Sequence, residues 1–509
     1  MFSKANSTRS NLIFNFAGRV VIALTGILFV PFYLHYLGVE VYGIIGFFIG
    51  LQAILSLLDL GISPTLTREI ARLSAFPDKG QEMRDLSRTL EILCWSAAGA
   101  MSLIALAVSP LVARYWLRPE KISLEALLQA LMLMSVTFAL QWTANFYSGG
   151  LTGLQRQKLN NIVNCLGVVL RSAGAVFILA FVSNTVRAFL LWQGFATFLL
   201  LLAMATSYWK CLPHGDSRPA FKKALLRGVW TYAAGMTGIS LVALILTQTD
   251  KIILSRLLTL ENFGYYTLAA TLAATAVGTI SGSIGTAYFP QFSQLAAVGD
   301  DRGLRAAYHR SAQVMSALLI PTACTIAFFS YPILLVWTRK EEVAGNAYFL
   351  LTLAAIGFGL HGAMNLPFLM QLANGLTKLA FWQNVAAIIL LIPFMIYATF
   401  HYGAVGGALT WVILNLLNLL VGMQIMHRIL LKGELADWYL KDILLPLAAT
   451  LAIVPPSAYL FPGHVSFLLT AAWTGITWAC AILFSVLTSA NLREVLLNIV
   501  RPGPHTENP

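Results

Sequence analysis

Charge is what this sequence has least of. Only 11% of its 509 residues are Asp, Glu, Lys or Arg, 58% are hydrophobic, and the mean hydropathy is +0.75. A water-soluble chain of this size needs far more surface charge, so the composition excludes a soluble protein and points to an integral membrane protein. Acid is scarcer than base, with 21 Asp and Glu against 33 Lys and Arg. The excess is scattered through short loops and forms no dense basic face, which excludes nucleic acid as a partner. Cysteine is also sparse. Cys94, Cys165, Cys211, Cys324 and Cys480 stand alone, with no CxxC and no Cys/His spacing. That excludes a disulfide framework and a metal site, and no cofactor is expected. No GxxxxGK[ST] stretch is present to hold ATP. Long loops are missing as well: the longest, Thr67 to Leu90 and Trp209 to Gly228, leave no room for a soluble catalytic domain, so an enzyme is not expected. The first apolar run is too long for a signal peptide, and Pro31-Phe32-Tyr33 is no cleavage site.

What the chain has in abundance is membrane-spanning sequence. With about 20 apolar residues per span, fourteen spans are expected: 11–36, 43–66, 91–113, 125–148, 161–182, 188–208, 229–254, 264–289, 311–336, 347–370, 381–400, 404–426, 442–461 and 466–488. The fold class is therefore an all-α integral membrane protein. Lys and Arg set its orientation. One set of loops holds most of them, including Arg68, Arg72, Lys79, Arg84, Arg88, Lys222, Lys223 and Arg227; the opposite set has only Arg114, Arg118, Lys121, Arg187, Arg256, Arg339 and Lys340. Both termini are thereby expected in the cytoplasm.

The chain also repeats itself. Glu40 and Gly43 recur 221 residues later as Glu261 and Gly264. Arg88 and Pro110 recur as Arg310 and Pro332 at an offset of 222, and Gly153-Leu154-Gln155-Arg156 recurs at 222 as Gly375-Leu376-Thr377-Lys378. A constant offset indicates an internal duplication. The unit is six spans, an even number, so both copies enter the membrane in one orientation. They are expected to be related by a pseudo-two-fold axis along the membrane normal, with a binding site between them. Expected domains are an N-terminal six-span lobe (1–215), a C-terminal six-span lobe (216–432), and a segment with two further spans and a tail (433–509).

Ionisable residues inside spans are costly and usually meet a partner or a wet cavity. Arg19 and Asp59 fall about 10–12 Å from the cytoplasmic boundary at 1.5 Å per residue; a structural ion pair and a cavity-facing pair both fit. Arg171 falls at mid-membrane in the fifth span, too deep to snorkel. Asp250 and Lys251 lie toward the outer end of the seventh span, on a helix whose Thr237, Ser240, Ala243, Thr247 and Asp250 form a small, polar stripe. That stripe suits a helix–helix contact or a cavity wall. His361, with Asn365 four residues on, lies inside the tenth span and can titrate or simply bond a carbonyl. Asn145, Asn164, Asn384, Asn415 and Asn418 either line a polar path or tie helices together. Arg156 and Lys378 sit at short inner turns, where they cap the turn or attract anionic head groups.

Together, the twin six-span repeats, the Gly38-Val39-Glu40-Val41-Tyr42-Gly43 turn, the Gly153-Leu154-Gln155-Arg156 turn and the Thr247-Gln248-Thr249-Asp250-Lys251 stretch resemble the polysaccharide transporter family. That family belongs to the multidrug/oligosaccharidyl-lipid/polysaccharide (MOP) exporter superfamily. The resemblance covers about residues 10–430 and extends to the additional span pair. It implies a flippase of the bacterial inner membrane. Its substrate would be an undecaprenyl-pyrophosphate-linked oligosaccharide, moved from inner to outer leaflet for O-antigen, lipopolysaccharide or exopolysaccharide synthesis. Arg19, Arg171 and Lys251 would then form a cationic cavity for the pyrophosphate. Asp59, Asp250 and His361 are the candidates for coupling to H+ or Na+. Implied partners are the lipid-linked substrate, membrane lipids and a polysaccharide polymerase or export machinery. A multidrug exporter or a lipid II flippase of the same fold is the alternative, although the intramembrane charges lean cationic. A repeat-unit polymerase or O-antigen ligase is the third reading; the short outer loops speak against it.

Overall fold

A computed structural model describes residues 18, 20–57, 62–74, 76–215, 217–223, 248–463, 466–489 and 492–493. The described residues are almost all helical and contain no strand. The reason is that lipid offers no hydrogen bonds, so each spanning segment must satisfy its own backbone. Eleven helical runs among the described residues are long and apolar enough to cross a membrane. One of them, Phe381–Leu430, covers two expected spans in sequence. The expected span 229–254 lies largely outside the described residues, as do residues 11–17 and 19 of the expected span 11–36.

The chain divides into two compact units, Met1–Gly264 and Tyr265–Pro509. In the first, α1 (Val30–Leu57) breaks at Gly38, where φ is 81°. Only glycine adopts that conformation without strain, so the break separates the first and second expected spans. There follow α2 (Ile62–Leu73), α3 (Gly80–Leu111), α4 (Leu124–Gly153), α5 (Gln157–Phe181) and α6 (Val186–Cys211). Ser123 caps α4 by accepting from the Ala126 N–H, and Thr185 caps α6 by accepting from the Ala188 N–H.

The second unit takes most of α7 (Leu260–Val298), then α8 (Asp301–Phe328), α9 (Ser330–Thr338), α10 (Glu341–Ala363), α11 (Asn365–Ala373), α12 (Thr377–Leu417) and α13 (Met423–Leu430). Its C-terminal part adds α14 (Leu445–Leu451), α15 (Val454–Tyr459) and α16 (Phe467–Thr488). Gly403 breaks α12 at φ 59°, between the expected spans 381–400 and 404–426.

Several expected boundaries move. The presumed loop Thr67 to Leu90 is mostly helix, because α2 carries a buried stripe of Leu66, Glu69, Ile70 and Leu73 at helical spacing and α3 begins at Gly80. The span 264–289 belongs to a 39-residue helix, roughly 58 Å long at 1.5 Å per residue and so longer than the hydrocarbon core. The turn matched at offset 222 also differs from its copy. Gln155 has φ 58° in the first turn, two residues beyond Gly153, whereas Gly375 itself has φ 73° in the second. The backbone equivalence there is 220, and the sequence match slides by two residues.

Lipid is as apolar as a leucine side chain, so helices associate through close fit and not through burial of hydrophobic area alone. Glycines provide that fit. Gly150 faces the Tyr208 ring, and Gly153 faces the Thr67 carbonyl and Ile70. Thr67 Oγ1 donates to the Gly149 carbonyl at 2.9 Å, joining α2 to α4. In the second unit Gly362 faces Leu319 and Val277, and Gly357 faces Trp411.

Candidate functional site

Arg171 emerges from α5 half-buried. Its Nη1 donates to Gln141 Oε1 on α4 at 3.1 Å. Gln141 Nε2 in turn donates to Asn145 Oδ1, one turn along α4, at 3.2 Å. The backbone around Arg171 is pinned from two other helices. Trp192 Nε1 of α6 donates to the Arg171 carbonyl at 3.2 Å, with its ring seated on Gly174. Tyr33 of α1 donates to the Ser172 carbonyl at 3.4 Å. Among the described residues Arg171 has no ion pair. Nη1–H makes its only side-chain hydrogen bond there.

Below this pair, toward the expected inner end, Asn160 ties α4 to α5. Its Oδ1 accepts from Ser148 Oγ at 2.9 Å and from Asn164 Nδ2 at 3.0 Å, and its Nδ2 donates to Thr152 Oγ1 at 3.2 Å. Gln141, Asn145, Ser148, Asn164 and Arg171 thus form a polar track along α4 and α5. Asn145 is its exposed member.

The other sequence candidates fall elsewhere. Arg19 and Asp59 lie outside the described residues. Asp250 and Lys251 belong to the helical run 248–257 and are half-buried. Lys251 Nζ donates to Gln248 Oε1 at 2.9 Å, and its methylene stem lies on Gly50 of α1. Lys378 is in the first turn of α12, and its side chain is outside the description. Arg156 is exposed and immediately precedes α5. His361 meets Asn415 Oδ1 at 3.3 Å and stacks near Trp411, 5.5 Å between ring centres. The structure therefore places Arg171 and Lys251 in the first unit and His361 in the second, each with its own neighbours.

The repeated turn motif forms a reciprocal contact within the first unit. Gly43 lies against the Leu260 carbonyl and Gly264 against the Val39 carbonyl, so a Cβ at either glycine would strike backbone. The two glutamates face the 117–123 loop. Glu40 accepts from the Glu120 and Lys121 N–H groups, and Glu261 pairs with Lys121 Nζ at 2.7 Å.

Buried acidic sites outside the sequence candidates include three that tie distant segments together. Glu91 accepts from Tyr147 OH, from Trp209 Nε1 at 3.1 Å and from Arg88 Nη1 at 2.6 Å. Asp85 pairs with Lys222 Nζ at 2.5 Å and accepts from the Ala220 N–H at 2.9 Å. In the second unit His309 sits between Asp442, at 2.5 Å, and Glu434, at 3.2 Å. Glu91 and Asp442 open the expected spans 91–113 and 442–461, and that position was their only signal.

A family model for polysaccharide biosynthesis proteins matches residues 8–296. A Shigella flexneri protein described as an O-antigen transporter is 22% identical over 413 residues, which are 81% of this chain and 96% of that protein. Among solved structures, the lipid II flippase MurJ in an inward closed conformation superposes with a TM-score of 0.67 at 16% identity, over 96% of this chain and 99% of the other. An inward-facing multidrug resistance MATE transporter of the MOP superfamily superposes at 0.65 with 14% identity, over 81% and 99%. At these identities the structural likeness is one of fold, that of an all-α membrane transporter.

Proposed function

The chain belongs to the polysaccharide biosynthesis protein family, and we propose that it flips an undecaprenyl-pyrophosphate-linked oligosaccharide across the bacterial inner membrane by alternating access. A transport role in a multi-pass membrane protein follows from the family and the fold; the substrate, the inner membrane and the cytoplasmic termini are our reading. The observation that carries it is Arg171, a permanent cation inside a span, held by a neutral amide and by no carboxylate among the described residues. A guanidinium in that setting needs water or an anion, and its forked donors match phosphate oxygens. Arg19 and Lys251 complete the cationic set. Asp59, Asp250 and His361 couple the cycle to H+ or Na+. The lobes 1–215 and 216–432 are the moving parts, with 433–509 as an addition.

The test is translocation of a lipid-linked oligosaccharide in proteoliposomes, normalised to inserted protein. Arg171→Ala abolishes it and Arg171→Lys keeps part, because charge survives while the bidentate fork is lost. Full activity in Arg171→Ala ends the proposal. A multidrug exporter would instead move cationic dyes and ignore the lipid-linked substrate.

A further inference from the structure

Arginine is a donor only, and that fact fixes the polarity of everything joined to it. Gln141 must turn its oxygen to Arg171, so its Nε2 must face Asn145. Asn145 must then present Oδ1 to Gln141, which leaves its own NH2 facing outward. That NH2 has no hydrogen bond among the described residues, and Asn145 is exposed. The rest of the Arg171 guanidinium is likewise uncommitted to any side chain there. Two donor groups, the Arg171 guanidinium and the Asn145 NH2, thus flank the two ends of the Gln141 amide, and Gln141 and Asn145 lie one turn apart on α4, roughly 6 Å at 1.5 Å per residue. Had Gln141 been a glutamate, it would neutralise Arg171 and draw in the Asn145 NH2, turning an oxygen outward instead.

We propose that Gln141 is a positioning residue that imposes donor polarity on the α4–α5 track, so that Arg171 and Asn145 together select a diphosphate over a monophosphate or a cation. This rests on the reading that Arg171 meets the anionic part of the substrate. Gln141 itself touches no ligand. It works by orienting two groups that do and by leaving the guanidinium charge unspent.

The probes are farnesyl diphosphate and farnesyl monophosphate, bound to the full-length protein in nanodiscs, with affinity read for each. The wild type prefers the diphosphate. Gln141→Glu is nearly isosteric and should cost about tenfold in diphosphate affinity, the scale of one charge-assisted interaction, while erasing the preference. Gln141→Met removes both hydrogen bonds at similar volume and should also lose the preference, with Arg171 still present. Asn145→Leu should weaken the diphosphate more than the monophosphate. A helix-packing role for Gln141 would lower both affinities in proportion and leave their ratio untouched. That unchanged ratio in both Gln141→Glu and Gln141→Met overturns the inference. If Arg171→Ala weakens both probes while the Gln141 variants keep the wild-type ratio, only the inference falls. If Arg171→Ala binds both probes like the wild type, the underlying reading of Arg171 falls with it.

Discussion

In the first unit the acids of a buried charged clamp sit on α3, as Asp85 and Glu91; in the second they sit on the segment after α13, as Glu434 and Asp442. The receiving groups trade places in the same way. Lys222 and the Ala220 N–H come from the chain that follows α6 and fold back onto α3. Arg305, His309 and Gln313 are on α8, where they hold Glu434 and Asp442. His309 occupies the position 222 residues after Ser87, and Gln313 the one after Glu91. Each unit therefore clamps a returning segment, the chain after α6 or the one after α13, onto a single helix, α3 or α8, with the charges exchanged. A buried pair depends on both partners being present and hydrogen-bonded, and not on which segment carries the acid. Duplication can keep the clamp while the sequence match at its positions disappears.

Breaking the clamp in the first unit should have the largest effect. The Glu91 side chain is only 7% exposed and serves donors on three side chains. Glu91→Ala leaves the Tyr147 hydroxyl and the Trp209 N–H without their acceptor and should cost on the order of 3–5 kcal/mol, the range for removing one partner of a buried charged network. Glu91→Gln should cost less, since an amide oxygen still accepts. Thermal unfolding of the purified protein checks both, and an unfolding midpoint for Glu91→Ala equal to that of the wild type would deny the clamp a structural role.

The matching cut in the second unit should be milder, about 2–4 kcal/mol for Asp442→Ala, on the same principle. Asp442 is fully buried, but Glu434 remains to receive the His309 ring, and Gln313 keeps its contact with Ser489 Oγ. Both ring nitrogens of His309 face carboxylate oxygens, so the imidazolium form satisfies both. Combining Asp442→Ala with His309→Ala should cost less than the sum of the two single changes, because each removes the same contact. Strict additivity in a double-mutant cycle would separate the two residues energetically.

Much of this architecture is legible in the sequence. Apolar run length gives the helices, and Gly38 and Gly403 mark the breaks because no other residue takes their conformation cheaply. Arg171 is legible as charge inside a span. Its partner is not, since one glutamine on an apolar helix carries no periodic signal, and the direction of its amide is set only once Arg171 touches it. The clamps escape for another reason. Asp85, Glu91 and Asp442 lie at span ends, where hydropathy windows give way to loops, and their partners on other segments are at least 56 residues away in the sequence. The turn matched at 222 misleads because identity of letters at Gly153 and Gly375 outweighs the backbone, which needs its left-handed residue at Gln155 and Gly375.

The finest test of the comparison lies at the rims, where each clamp has one exposed cation. Lys222 is 54% exposed and pairs with Asp85, whose side chain is 1% exposed; Arg305 is 42% exposed and pairs with Glu434, which is 21% exposed. Exposed cations contribute little when their partners are also hydrated, about 0–1 kcal/mol. Arg305→Ala should fall in that range, because Glu434 keeps water and His309. Lys222→Ala should cost somewhat more, because Asp85 would retain only the Ala220 N–H and Gln81 in a site closed to water. Salt separates the two further. Screening acts on exposed pairs and spares buried ones, so the Arg305→Ala penalty should shrink toward zero between 0.1 and 1 M NaCl, where the Debye length falls from about 10 to about 3 Å. The Lys222→Ala penalty should persist over the same range. Unfolding midpoints of the two variants and the wild type across that salt series make the measurement. Equal penalties that vanish together would mean that both clamps are surface pairs, and the burial of Asp85 would then count for nothing in holding the chain after α6 to α3.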